Sequence, residues 1–233
     1  MDFLAEGFRR AWALLVAGDS EVFGIALLTM KVAIVATIVS CAIGLPLGYS
    51  LATRRFWGRR AALTVVNTAL AFPTVVVGLL LYGLLSRRGP LGGLGWLYTW
   101  QSIVVGDVLL ALPIAAALSA AAIQGVDPRI RRTAETLGAG AVRTAWTVSR
   151  EARFALAAVI TAAFGQVVAE VGAAMIVGGN IRGSTRTLTT AVALYTSQGD
   201  FGLALALGLI LLMLALLVNV VLQLLQGRGG SHA

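Results

Sequence analysis

The sequence predicts an all-α protein that crosses a membrane about five times. Three observations predict it. Hydrophobic residues fill 58% of the 233 positions and charged residues only 12%, with a mean hydropathy of +0.89, whereas a soluble domain carries about 25% charge. The apolar residues gather into five runs, each long enough for the roughly 20 helical residues that a bilayer core requires. Between those runs the arginines are distributed unevenly, as they are around the loops of membrane proteins.

The five spans are expected at Val22–Leu51, Ala61–Leu85, Ile103–Ile123, Phe154–Val177 and Phe201–Leu225. The first is long enough to tilt or to project beyond the membrane. Phe3 to Val16 is too short and too charged to span, and reads as an interfacial amphipathic helix. Residues 1–20 thus form an N-terminal interfacial segment, 21–226 the transmembrane domain, and 227–233 a flexible tail. Asp2 and Glu6 stand where a signal peptide would be positive, so none is expected. No separate soluble domain is apparent, which places any energy source on another chain.

Arginine placement orients the spans. Arg54, Arg55, Arg59 and Arg60 follow the first, six arginines follow the third, and Arg228 follows the fifth. Arg9, Arg10, Arg87, Arg88, Arg182 and Arg186 fall on the other side. The positive-inside rule therefore puts the loop after span three and the C-terminus in the cytoplasm, and the N-terminus outside. The net charge of +8 fits arginine anchoring at an anionic membrane surface, and nucleic acid is not expected as a partner.

The loop after span three, residues 124–153, is a polar island holding six of the 18 Lys and Arg residues. Asp127-Pro128 is a good helix start, because Asp caps free N–H groups and Pro suits the first helical position. Ile130, Ala134 and Leu137 then share one face, with Arg131, Arg132 and Glu135 on others. Gly138 ends that helix, and Ala141 to Arg150 reads as a second short one. An amphipathic knuckle between spans is suited to touch something outside the membrane.

Inside the spans, Pro46, Pro73 and Pro113 each remove a backbone hydrogen bond. They mark either bent helices in a packed bundle or hinges. Gly44 and Gly48 flank Pro46 as a small-xxx-small pair that favours close helix packing. Lys31, Asp107 and Glu170 are the ionisable residues within spans, where charge normally faces a partner or water. Two readings fit Lys31: it snorkels to the outer interface, or it offers positive charge to an anion. Pairing with Glu170 as a structural tie is a further option. Asp107 lies near the outer end of its span and is expected to be wet.

The segment 178–190 has three glycines, two arginines and five hydroxyls, and follows span four on the outer side. It reads either as an ordinary solvated loop or as an anion site, with glycine backbone N–H groups forming a nest and Arg182 and Arg186 binding oxyanions. There is no G-x-x-x-x-G-K-[ST] phosphate loop and no G-x-S-x-G. The single Cys41 builds no disulfide framework or thiolate site. His232 stands alone in a polar tail, away from any triad or metal cluster.

These residues resemble a known family. Ala134-Glu135-Thr136-Leu137-Gly138-Ala139 is similar to the cytoplasmic loop of ABC-importer permeases, whose signature runs E-A-A-x-x-x-G and later I-x-L-P. Only Ala134 and Gly138 keep it, since the E-A positions fall on Arg132 and Thr133 and the Leu-Pro positions on Arg150 and Glu151. A wider resemblance, to the molybdate/tungstate branch, runs along nearly the whole chain. It covers Thr29-Met30-Lys31-Val32-Ala33, Phe72-Pro73 through Leu79, Ala111-Leu112-Pro113-Ile114, Glu170-Val171-Gly172-Ala173, Gly178-Gly179-Asn180-Ile181 and Thr185-Arg186-Thr187-Leu188. Tyr195 to Phe201 looks closer to tungstate permeases than to molybdate ones.

The resemblance implies a type I ABC-importer permease fold and a transport subunit rather than an enzyme. It implies a second copy of the chain, a cytoplasmic ATPase dimer that carries ATP and Mg, an extracytoplasmic oxyanion-binding protein and membrane lipid as partners, with no cofactor on this chain. Ile130, Arg131, Arg132, Ala134, Glu135, Leu137, Gly138 and Arg143 would couple to the ATPase. Lys31, Pro73, Glu170, Asn180, Arg182, Thr185 and Thr187 would line or gate the path. Tungstate is the expected cargo, with molybdate and then sulfate as alternatives. A proton-coupled secondary transporter using Glu170 is a different class, but no inverted repeat of the spans is evident. A membrane-embedded enzyme would need a catalytic constellation, and the charges in the spans are isolated.

Overall fold

The computed structural model describes residues 2–226, so Arg228, His232 and the tail 227–233 lie outside the described residues. Among the described residues every regular element is helical. Helix α1 covers Asp2–Ala17, α2 Ser20–Thr53, α3 Arg59–Ala69, α4 Thr74–Leu85, α5 Trp100–Gln124, α6 Pro128–Thr136 and α7 Ala141–Glu151. Then come α8 at Arg153–Val168, α9 at Gly172–Gly178, α10 at Leu188–Ser197 and α11 at Phe201–Gln226.

Helix α2 is the axis of the bundle. Asp19 starts it by accepting hydrogen bonds from the backbone N–H groups of Glu21 (2.9 Å) and Val22 (3.0 Å), a side-chain cap for donors with no partner inside the helix. Its main neighbour is α5, and Gly44 and Gly48 set the approach. A Cβ on Gly48 would stand 1.8 Å from Ser119 Oγ and 2.5 Å from the Ala116 carbonyl oxygen. Ser119 Oγ donates to the Gly44 carbonyl across the seam (3.3 Å). The small-xxx-small pair is therefore the α2–α5 contact itself. Pro46 and Pro113 both lie inside helices that continue past them. The core formed with α8 and α9 includes Val32, Ala33, Ala36, Ala111, Ala115, Phe164 and Val177.

Three helices are continuous and apolar enough to cross a membrane: α2, α5 and α11. The expected second span is instead broken. Helices α3 and α4 meet at 103°, because Pro73 has no N–H to continue the ladder and stands as the extended residue before α4. The expected span Phe154–Val177 is also discontinuous, with α8 ending at Val168 and α9 beginning at Gly172. Its break is supported by the Glu170 carboxylate, which accepts a hydrogen bond from Ala173 N (2.9 Å). Helix α9 packs on α4 through glycine: Cβ atoms on Gly172 and Gly78 would meet Thr74 Oγ1 at 2.6 Å and Ala173 Cα at 2.7 Å. A further bend of 78° separates α7 from α8.

Helix α1 packs on the start of α11 and leaves Phe8 and Trp12 exposed. Gly7 faces Leu205 closely enough to exclude a Cβ, and Arg10 pairs with Asp200 (3.2 Å). These contacts make α1 antiparallel to the start of α11.

Candidate functional site

Two regions gather the polar side chains, one at each end of the bundle. The first is the knuckle. Asp127 accepts from Arg129 N (2.8 Å) with Pro128 in the first turn of α6. Gly138 closes the helix at φ +83°, in the left-handed region that glycine enters without a steric penalty, and α7 follows. Thr144 and Val148 on α7 are buried. Val148 packs with Ile123 and Ala152, which seats α7 on the ends of α5 and α8.

The opposite faces of α6 and α7 remain open. They bound a groove of about 560 Å³ that includes Ile130, Ala134, Leu137, Ala139 and Arg143. Leu137 is 82% exposed, with Val142 and Trp146 also exposed nearby in sequence. The shared face expected for Ile130, Ala134 and Leu137 is thus a real wall of one groove. Arg131 does something other than the rim docking expected of the loop arginines. Its Nε binds Glu135 Oε1 (2.8 Å) and its Nη1 donates to the Thr53 carbonyl oxygen (2.9 Å). Arg131 and Glu135 therefore tie the knuckle to the last residue of α2, while Arg132 and Arg143 stay exposed.

The second region is at the other end. Lys31 does not pair with Glu170. Its Nζ lies 3.6 Å from the centre of the Trp100 ring, a cation–π contact at the first residue of α5. That places the charge on an aromatic face at the end of the bundle where α5 begins. Asp107, expected to be wet, is 2% exposed. It shares a crevice of about 10 Å³ with Glu170, Thr29, Thr187 and Thr189. The wet expectation failed because the loop after α9 folds back over this end of α5.

That loop is neither solvated throughout nor an open nest. Thr185 is fully buried; its Oγ1 donates to the Gly178 carbonyl (2.5 Å) and accepts from Ile181 N (3.0 Å). Asn180, at φ +49°, donates from Nδ2 to the Thr190 carbonyl (3.2 Å). Thr187 and Thr190 form a reciprocal capping box at the start of α10. Leu188 N donates to Thr29 Oγ1 (2.9 Å), which pins the loop to α2. Arg182 forms a two-pronged pair with Glu21, and that hydrogen-bonded carboxylate raises the guanidinium pKa further above its usual range. Arg186 stands 3.7 Å from the same carboxylate. Both arginines face an acidic partner within the chain, not an empty anion cradle. Pro73 is exposed and lies at the α3–α4 break, apart from this cluster.

Sequence reasoning did not find Trp100, Glu21 or Thr29 as partners. Each is a long-range contact between elements, with no periodicity or spacing to signal it. The exposed Trp146 was legible in principle, as an aromatic residue on an amphipathic helix whose other face is apolar.

The helical bundle has broken spans and an open amphipathic knuckle at one end, the architecture of a membrane transport component. The chain belongs to the family of binding-protein-dependent transport system inner membrane components, which matches residues 44–228. It is 38% identical over 226 residues to the tungstate uptake system permease protein TupB of Peptoclostridium acidaminophilum, covering 97% of this chain and 99% of that one. TupB of Campylobacter jejuni is also 38% identical over 226 residues, covering 97% and 95%. The fold matches a crystal structure of a bacterial alginate ABC transporter in complex with a periplasmic protein, with a TM-score of 0.75 at 16% identity over 99% of this chain and 88% of that one.

Proposed function

We propose that this permease moves tungstate inward as the membrane subunit of an ATP-driven importer. The observation that supports this cargo is the 38% identity to two tungstate permeases across almost the full length of each chain. Two copies enclose a central path, an extracytoplasmic binding protein delivers the oxyanion, and a cytoplasmic ATPase dimer holding ATP and Mg supplies the work. The knuckle, the end of α2 and the end of α11 face the cytoplasm. Helix α1 lies beside the start of α11, and the N-terminus is placed outside by the arginine count.

The ATPase docks on the α6–α7 groove. Leu137, Ile130 and Ala134 supply apolar contact, Gly138 sets the turn, and Arg132 and Arg143 are free at the rim, a division between buried anchors and polar rim common to protein interfaces. Arg131 and Glu135 pass the motion to α2. ATP-driven closure then rocks the spans between outward and inward states. On the outer side, Lys31, Glu170, Asn180, Arg182, Thr185 and Thr187 form or support the gate. Pro73 serves as the hinge between α3 and α4. The permease binds cargo weakly, because a path must release what it accepts.

The test is uptake of labelled tungstate in cells carrying the chain with its ATPase and binding protein. Leu137→Asp should abolish uptake while membrane levels stay normal. Unchanged uptake would sink the docking assignment. Equal transport of molybdate at equal concentration would replace tungstate by the broader oxyanion class.

A further inference from the structure

The crevice beside the α8–α9 break holds two carboxyl groups and no basic side chain. Asp107 and Glu170 are 2% and 5% exposed. The lining contains no Lys, Arg or His, and Lys31 is turned onto Trp100. Oδ1 of Asp107 is buried without a hydrogen-bond partner. A buried carboxylate oxygen left in this way is costly in a low-dielectric interior unless a cation or a proton neutralises it.

Two of the remaining hydroxyls, on Thr29 and Thr189, have capacity to spare. Thr29 Oγ1 donates to the Ile25 carbonyl (2.8 Å) and accepts from Leu188 N (2.9 Å). A hydroxyl has two lone pairs, so one is still open. Thr189 Oγ1 has Thr187 Oγ1 as its partner on the same wall (2.9 Å), while Thr187 Oγ1 is filled by that contact and by the capping box with Thr190. The donor set is oxygen alone, which suits a hard cation and not a transition metal. The crevice of about 10 Å³ has room for about one water, which excludes Mg²⁺ with its retained waters. A helix interrupted within the membrane is also where transporters commonly bind small ions.

We propose that Asp107, Glu170, Thr29 and Thr189 bind a single dehydrated monovalent cation of the size of Na⁺. The ion joins α2 and α5 to the α8–α9 break and to the start of α10. It thereby holds the outer loop closed over the bundle.

Binding of ²²Na⁺ to the purified full-length chain in detergent, with choline chloride holding ionic strength constant, tests this directly. Saturable binding is expected. Asp107→Asn and Glu170→Gln should each weaken it about tenfold or more, as loss of a metal ligand or its support does, and Gly83→Ala, where a Cβ meets nothing within 4 Å, should leave it unchanged. NaCl, but not choline chloride, should raise the melting temperature of the unaltered chain. Absence of saturable ²²Na⁺ binding, or of a Na⁺-specific melting shift, in the unaltered chain overturns the proposal and leaves a bound proton as the neutralising charge. Unchanged affinity in a folded Asp107→Asn chain overturns it as well. If both carboxyl variants aggregate, Thr189→Val takes their place, and equal affinity in that variant counts against the site. No readout involves oxyanion or ATP, so failure of the cargo assignment leaves this result standing.

Discussion

Lys31 is the residue whose surroundings decide most about the path. It is exposed on α2 in the isolated chain, and a charged side chain facing lipid costs up to about 2.5–3.5 kcal/mol on insertion scales, the value for the bilayer centre. Its contact with Trp100 returns about 0.5–2 kcal/mol, depending on desolvation. The ring alone therefore does not offset lipid exposure, and the ammonium needs water or a path beside it. Lys31→Arg should keep most uptake, because Arg also stacks on aromatic faces, whereas Lys31→Met should lose most of it. Equal uptake by the two variants would mean that the charge only anchors the helix. At the same scale, the Arg182–Glu21 pair is half open to solvent, where ion pairs contribute little to stability. Glu21→Gln should leave the melting temperature nearly unchanged while altering the salt dependence of uptake if the loop moves during transport.

At the scale of elements, the seam between α2 and α5 is set by absent side chains. Gly48→Ala places a methyl group where Ser119 Oγ and the Ala116 carbonyl already stand. Overpacking of this kind costs about 1–3 kcal/mol, so the variant should melt earlier than the unaltered chain in detergent. Gly83→Ala is the matched control, since a Cβ there meets nothing within 4 Å. Equal loss at both positions would point to helix-wide effects of glycine replacement and not to the seam. The knuckle shows the opposite arrangement. Helices α6 and α7 are polar on one side and seated by Val148 on the other, and their apolar edge at Leu137 and Trp146 is left uncovered.

At the scale of the whole molecule, the source of work separates the readings. Collapsing the proton gradient while ATP is maintained should leave uptake intact; strict dependence on the gradient would favour a secondary transporter. The fold was legible in its composition and arginine pattern, because apolar runs and loop charge are local properties. The knuckle was legible down to Asp127, Gly138 and Ala141, since caps and stops are encoded within a few residues. What stayed hidden were the breaks at Pro73 and Glu170, where an uninterrupted apolar run gives no sign that the chain turns. Pro73 was visible as a helix breaker, but Pro46 and Pro113 carry the same signal inside helices that continue. The burial of Asp107 was equally hidden, because it depends on a loop some 70 residues further along the chain folding across it.

If the ATPase moves the knuckle, the bond from Arg131 to the carbonyl of Thr53 would let α2 act as a lever. At 1.5 Å per residue the helix is about 51 Å long, and it crosses α5 most tightly around Gly44 and Gly48. With the fulcrum there, the inner arm is about 10 Å and the outer arm about 39 Å. A 1 Å sideways pull on the knuckle thus swings the outer tip by roughly 4 Å. Arg131→Ala should leave the motor turning over ATP while spin labels near Ser20 stop responding to it. A short stroke at one face of the membrane would then suffice for a wide one at the other, through a single guanidinium acting as the handle.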